Sequence, residues 1–211
     1  MDEAPDRAAL LSALTTEHFV LQTANSATYT EASARSTLYV MALSSALVAM
    51  GFLAETPRNL LAFAFTVLPA LFVLGLFTVM RLVETSLESM HYLAGIAAIR
   101  GHYRKLGRDA AQIFSAEAGR WPEVSSPAER LGPLLAFMGT TASMIAVINN
   151  MVAGAVVALA VSALMPSIHA GFSVGAGLLL LLALSVGFHA YQRWRFADYD
   201  AGKARAPDVE L

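Results

Sequence analysis

The sequence predicts an all-α, polytopic membrane helical bundle with four transmembrane helices and cytoplasmic helical extensions, and two observations carry that prediction. The first is where charge is missing. The 211 residues hold 14 Lys and Arg and 16 Asp and Glu, yet none falls in the 19 residues from 36 to 54, the 22 from 59 to 80 or the 62 from 131 to 192. A hydrocarbon core of roughly 30 Å takes about 20 helical residues, so the first two stretches each suit one crossing and the third suits two. The second is how the remaining charges divide. Two Lys or Arg precede the first span, one (Arg58) separates spans one and two, seven lie from 81 to 130, none separates spans three and four, and four follow. Thirteen against one predicts both termini and the central segment on the cytoplasmic side.

Helices are preferred to a membrane barrel because runs such as Leu178 to Leu182 are apolar without alternation. The same pattern excludes a single water-soluble globule, a disordered chain and a nucleic-acid binder driven by bulk positive charge. With no cysteine there is no disulfide, no thiol nucleophile and no cysteine metal site.

Taken in order, residues 1–35 form a cytoplasmic or interfacial N-terminal helical segment, opening on Asp2, Glu3 and Asp6 where a secretory signal would be basic. Thr28 and Glu31 have capping-box spacing, which starts the first span about two turns before the membrane. One unbroken helix from about residue 7 is the alternative, since Gly51 is the only Gly or Pro from Arg7 to Ala54. Residues 36–80 make a transmembrane hairpin with spans 36–54 and 59–80. Thr56 then Pro57 reads as an N-cap followed by proline at the first helical position, and Pro69 is expected to bend the helix.

Residues 81–130 form a cytoplasmic helical extension. Val83, Leu87, Met90, Ala94 and Ala97 recur every three or four residues, so the second helix runs on to about Leu106 and stops at Gly107. Asp109 and Gln112 have cap spacing for a short helix ending near Gly119, and Trp121, Pro122, Ser125, Ser126 and Pro127 mark a turn-rich return. Residues 131–192 make a second transmembrane hairpin, spans 136–164 and 171–192, divided where Pro166, His169 and Gly171 interrupt the apolar pattern. Residues 193–211 are a cytoplasmic tail; Tyr191 and Trp194 beside Arg193 and Arg195 fit an interfacial belt.

Span three carries the most informative residues. Ala142, Ala146, Asn150, Gly154, Ala158 and Ser162 repeat every four residues, with Gly139, Ser143 and Asn149 extending the surface. Small residues at this spacing let helix backbones approach closely in lipid, and the two amides must meet polar partners there. They either glue the helix to a neighbour or, repeated around an oligomer, line a narrow aqueous path. No acid, lysine or arginine lies in a span core, which disfavours a pump or voltage sensor. In the extension, Glu84, Glu88 and His91 share a helical face and include one Glu-x-x-His; di-iron bundles need two, so these are weak metal candidates beside a salt-bridged face. Arg100, Arg104, Lys105 and Arg108 form a basic stripe, read first as a solvated face paired with acids of the N-terminal segment and otherwise as a site for a phosphate-bearing ligand or a partner.

The stretch from His18 to Leu53, with Phe19 to Ala24, Glu31, Ala32 and Arg35, together with Arg81 to Glu84, resembles a family of small four-helix integral membrane proteins of actinobacteria. The resemblance implies the four-span fold and brings no activity and no functional residues. In layout alone, paired spans followed by a cytoplasmic helix are similar to the two-span effectors of some bacterial defence systems, none of whose motifs is present. The expected protein is therefore a non-enzymatic, homo-oligomeric membrane scaffold, with an oligomeric pore lined by Asn149 and Asn150 as the first alternative and a membrane enzyme or metal site on the extension as the second. Lipid and further copies of the chain are the expected partners, with no nucleic acid and no cofactor, in a bacterial plasma membrane.

Overall fold

The computed structural model describes residues 3–114 and 139–205, with side chains from 6 to 114 and 139 to 199. The described residues form five helices: α1 (Glu3–Phe52), α2 (Pro57–Arg104), α3 (Arg108–Ile113), α4 (Thr141–Leu164) and α5 (Ala170–Arg205). All but α3 are long and apolar enough to cross a membrane.

The alternative of one unbroken first helix is the one found. α1 is 50 residues long, about 75 Å. Thr28 caps nothing, because its hydroxyl donates backward to the Asn25 carbonyl at 2.7 Å and Glu31 turns to arginines instead. Serines and threonines are tolerated along α1 because their hydroxyls bond carbonyls one turn back, as at Thr16, Thr23, Thr30 and Ser45.

α2 starts at Pro57 as expected, but the Thr56 side chain makes no capping bond; its hydroxyl donates to the Leu53 carbonyl at 3.2 Å. The helix passes through Pro69 and ends at Arg104, two residues short of expectation, where the Lys105 N–H bonds the His102 carbonyl. α3 is only six residues long and starts from Gly107 without a side-chain cap, so Asp109 sits in its first turn and the helix stops at Ile113 instead of near Gly119. The turn-rich stretch from Trp121 to Pro127 lies outside the described residues. α4 starts at Thr141 rather than 136, since Thr140 accepts the Ser143 N–H as its N-cap. Residues 165–169 form the turn into α5.

The helices pack in sequence: α1 on α2, α2 on α4 and α4 on α5, with little contact between α2 and α5. α1 and α2 run antiparallel and meet along their whole length, from Thr15 near Tyr103, through Leu21 against Gly95, to Ala46 with Ala64 and Leu68. About 36 Å of α2, the 24 residues from Arg81 to Arg104, lies beyond the charge-free stretch and is sheathed by the first half of α1. One core cluster joins Tyr39, Val79, Leu82, Val83, Ile145 and Ala146 where three helices converge.

Candidate functional site

Ion pairs lace the bundle together where the charge-free stretches end. Arg81, the first charge after span two, holds Glu31 of α1 through Nε at 2.8 Å and Nη2 at 3.0 Å, and Glu88 of its own helix through Nη1 at 2.8 Å. Arg35 donates to Glu31 from the other side at 2.8 Å. The hydrogen bonds from Arg81 and then Arg35 hold the Glu31 carboxyl down at about 2, and the bonds to Glu31 and then Glu88 push the Arg81 guanidinium upward. Across the bundle, Arg195 of α5 grips Glu84 of α2 with Nη2 at 2.6 and 2.7 Å and Nε at 3.0 Å. It also lies 3.6 Å from Asp198 and above the Trp194 ring.

The residues put forward as a weak metal site are therefore divided. Glu84 and Glu88 serve different arginines, and His91 is exposed with its ring edge toward Tyr92. Among the described residues no group of three or more His, Asp or Glu is arranged to hold a metal ion. The basic stripe divides as well: Arg100 is buried against α1, whereas Arg104, Lys105 and Arg108 are exposed around the α2–α3 junction. One face of Lys105 and His102 forms a shallow depression with Asp6, Arg7 and Leu10.

One helical level further into the apolar stretch lies an amide layer. Asn149 is 2% exposed and accepts the Tyr39 hydroxyl through Oδ1 at 3.1 Å, while Asn150, 7% exposed, donates through Nδ2 to Ser185 at 3.1 Å. Gly75 makes room: a Cβ there would collide with the Asn149 amide and stand 2.7 Å from the Tyr39 ring. Nearer the charged end, Gln192 is 1% exposed and joins Ser143 at 3.2 Å and Thr140 at 3.4 Å.

The small-residue stripe of α4 is used inside the subunit. Ala142, Ser143, Ala146, Asn149, Asn150 and Gly154 are all buried. Gly154 meets Gly177 of α5 backbone to backbone, where a Cβ on Gly154 would be 2.7 Å from the Gly177 carbonyl. Toward the ends of the stripe, Gly139 precedes the helix and is exposed, Ala158 is half-buried against Gly177, and Ser162 is exposed.

The chain matches no protein-family model, no curated protein and no solved structure. Sequence reasoning missed Tyr39, Gly75, Gly177, Ser185 and Gln192. Gly75 and Gly177 are glycines inside apolar helices, which is itself a signal of close approach.

Proposed function

We propose that the protein is a non-enzymatic membrane scaffold that presents a rigid two-helix stalk to the cytoplasm and assembles through it. The observation that carries this reading is the outer face of α1. Ala9, Ser12, Ala13, Thr16, Phe19, Val20, Thr23 and Ala27 are all exposed and none is charged, with Phe19 at 63% and Val20 at 54% exposure. A helix face left in water is ordinarily charged; a contiguous uncharged one marks a protein contact. The face stands on a stalk whose length and antiparallel packing keep it straight, and the Arg81 and Arg195 ion pairs fix the stalk at its base.

By segment, thirteen of the 14 basic residues fall before span one, between spans two and three or after span four, which supports a cytoplasmic stalk in a bacterial plasma membrane. The pore alternative draws less support, because Asn149 and Asn150 each bond within the subunit. The test is the oligomeric state of the purified protein in mild detergent by native mass spectrometry. A closed homo-oligomer that Val20→Asp or Phe19→Asp reduces to monomer, with helicity kept, supports the scaffold. A monomer at all concentrations, or ion flux in liposomes that Asn149→Leu abolishes, contradicts it.

A further inference from the structure

The thin contact between α2 and α5 leaves a groove of about 350 Å³ along the bundle, with the two asparagines of α4 on its floor. Its walls are apolar, formed by Phe72 and Leu76 of α2 and by Leu184 and Phe188 of α5, and among the described residues no Asp, Glu, Lys or Arg lines it. Tyr191 and Met80 stand at one end. A turn beyond them the Glu84–Arg195 ion pair joins α2 to α5, closing that end to an extended chain while the long side stays open to lipid.

The floor is not satisfied by the protein. Asn149 uses Oδ1 toward Tyr39 and Asn150 uses Nδ2 toward Ser185, which leaves the Asn149 Nδ2 and the Asn150 Oδ1 without a hydrogen-bond partner among the described residues. Both side chains are more than nine-tenths buried. Asn149 lies nine residues past Thr140, about 13 Å into the apolar stretch, where an unmatched amide is costly. A donor and an acceptor on adjacent residues, at the bottom of an uncharged groove of ligand-site size, match one chemical group. A hydroxyl can accept from Nδ2 and donate to Oδ1 at once.

We propose that this groove binds a neutral, membrane-dissolved lipid carrying a free hydroxyl, with the hydroxyl on Asn149 and Asn150 and the hydrocarbon chain between Phe72, Leu76, Leu184 and Phe188. Ester lipids can only accept there and leave the Asn150 carbonyl unmatched. Charged headgroups find no counter-ion on the groove wall. The site is independent of the α1 face, so either reading can fail without the other.

The test uses the full-length protein in lipid nanodiscs with a long-chain primary alcohol bearing a mid-chain diazirine, and its methyl ether as the matched control that accepts but cannot donate. After irradiation, labelled residues are mapped by mass spectrometry. The one hydrogen bond the ether cannot make, the donation to the Asn150 carbonyl, has a net value of roughly 1 kcal/mol and predicts about fivefold preference for the alcohol at groove residues. Asn150→Leu is expected to bring alcohol labelling down to that of the ether. Gly187→Leu supplies a variant that leaves the helix contacts intact, because a Cβ at Gly187 meets nothing within 4 Å and the added side chain fills the groove; it is expected to abolish groove labelling by both probes. Equal labelling by alcohol and ether, label spread evenly over lipid-facing positions such as Leu179, or unchanged labelling in Gly187→Leu overturns the proposal.

Discussion

At the scale of single residues, the structure turns on groups whose partners lie far away in sequence. Gly75 is the clearest. Its missing side chain is what lets Asn149 reach the Tyr39 hydroxyl, so Gly75→Ala should force apart three helices and destabilise the bundle by about 1–3 kcal/mol. Thermal melting in detergent, followed by helicity, reads this directly; an unchanged midpoint would show that the contact is slack. Glu31 gives a pH prediction. Its carboxyl sits at about 2 in the folded protein against an ordinary 4.5, so the stabilisation it contributes is complete above 4.5 and is lost as pH falls toward 2. Melting points should drop across that window, more steeply at low salt, and Glu31→Gln should flatten the drop. His18 behaves in the same direction at higher pH. Burial, then the nearby Arg100 charge, lower its pKa from 6.5, and its Nδ1 is buried without a partner, so the stalk tip should lose stability as pH falls below 6.5. His18→Leu should remove that component.

At the scale of elements, each helix is built for the neighbour it meets. α4 and α5 touch through Gly154 and Gly177, where neither backbone can yield to a side chain. Gly154→Val should therefore separate the hairpin, measured as a loss of the near-contact between spin labels placed on α4 and α5, whereas Gly171→Val, with open space around it, should not. The four long helices and the turn at 165–169 were legible in the sequence because missing charge and apolar period are local properties. The α1 boundary was not. Thr28 and Glu31 present a start signal, but tertiary partners overrule it: the Thr28 hydroxyl is spent on Asn25, and Glu31 is drawn to Arg81, 50 positions away. The pairing of Glu84 with Arg195, 111 positions apart, left no local trace. The stripe of small residues on α4 was readable as a packing surface, yet which helix it packs against was not, since a four-residue period fits any close-approaching neighbour.

At the scale of the whole molecule, two hairpins share one arrangement of charge: a continuous stalk extends from one end of the apolar bundle, and the ion pairs of Arg81 and Arg195 lie at its base. If the stalk is the working surface, removing it should abolish assembly while the spans remain folded. Replacing Arg195 with Met should loosen α5 from α2 and widen the groove without affecting the α1–α2 pairing, since Glu84 loses its partner and Glu31 does not. The same variant should leave the oligomer intact, because the α1 face is not touched.

The absence of native cysteine makes topology directly measurable by single-cysteine labelling. Ser12→Cys, Lys105→Cys and Ile168→Cys variants, made one at a time, are treated in spheroplasts with a membrane-impermeant maleimide before and after permeabilisation. Four crossings with the stalk inside predict that position 168 reacts at once and that positions 12 and 105 react only after the membrane is opened. Labelling of position 105 in intact spheroplasts, or equal labelling of all three, would contradict the account.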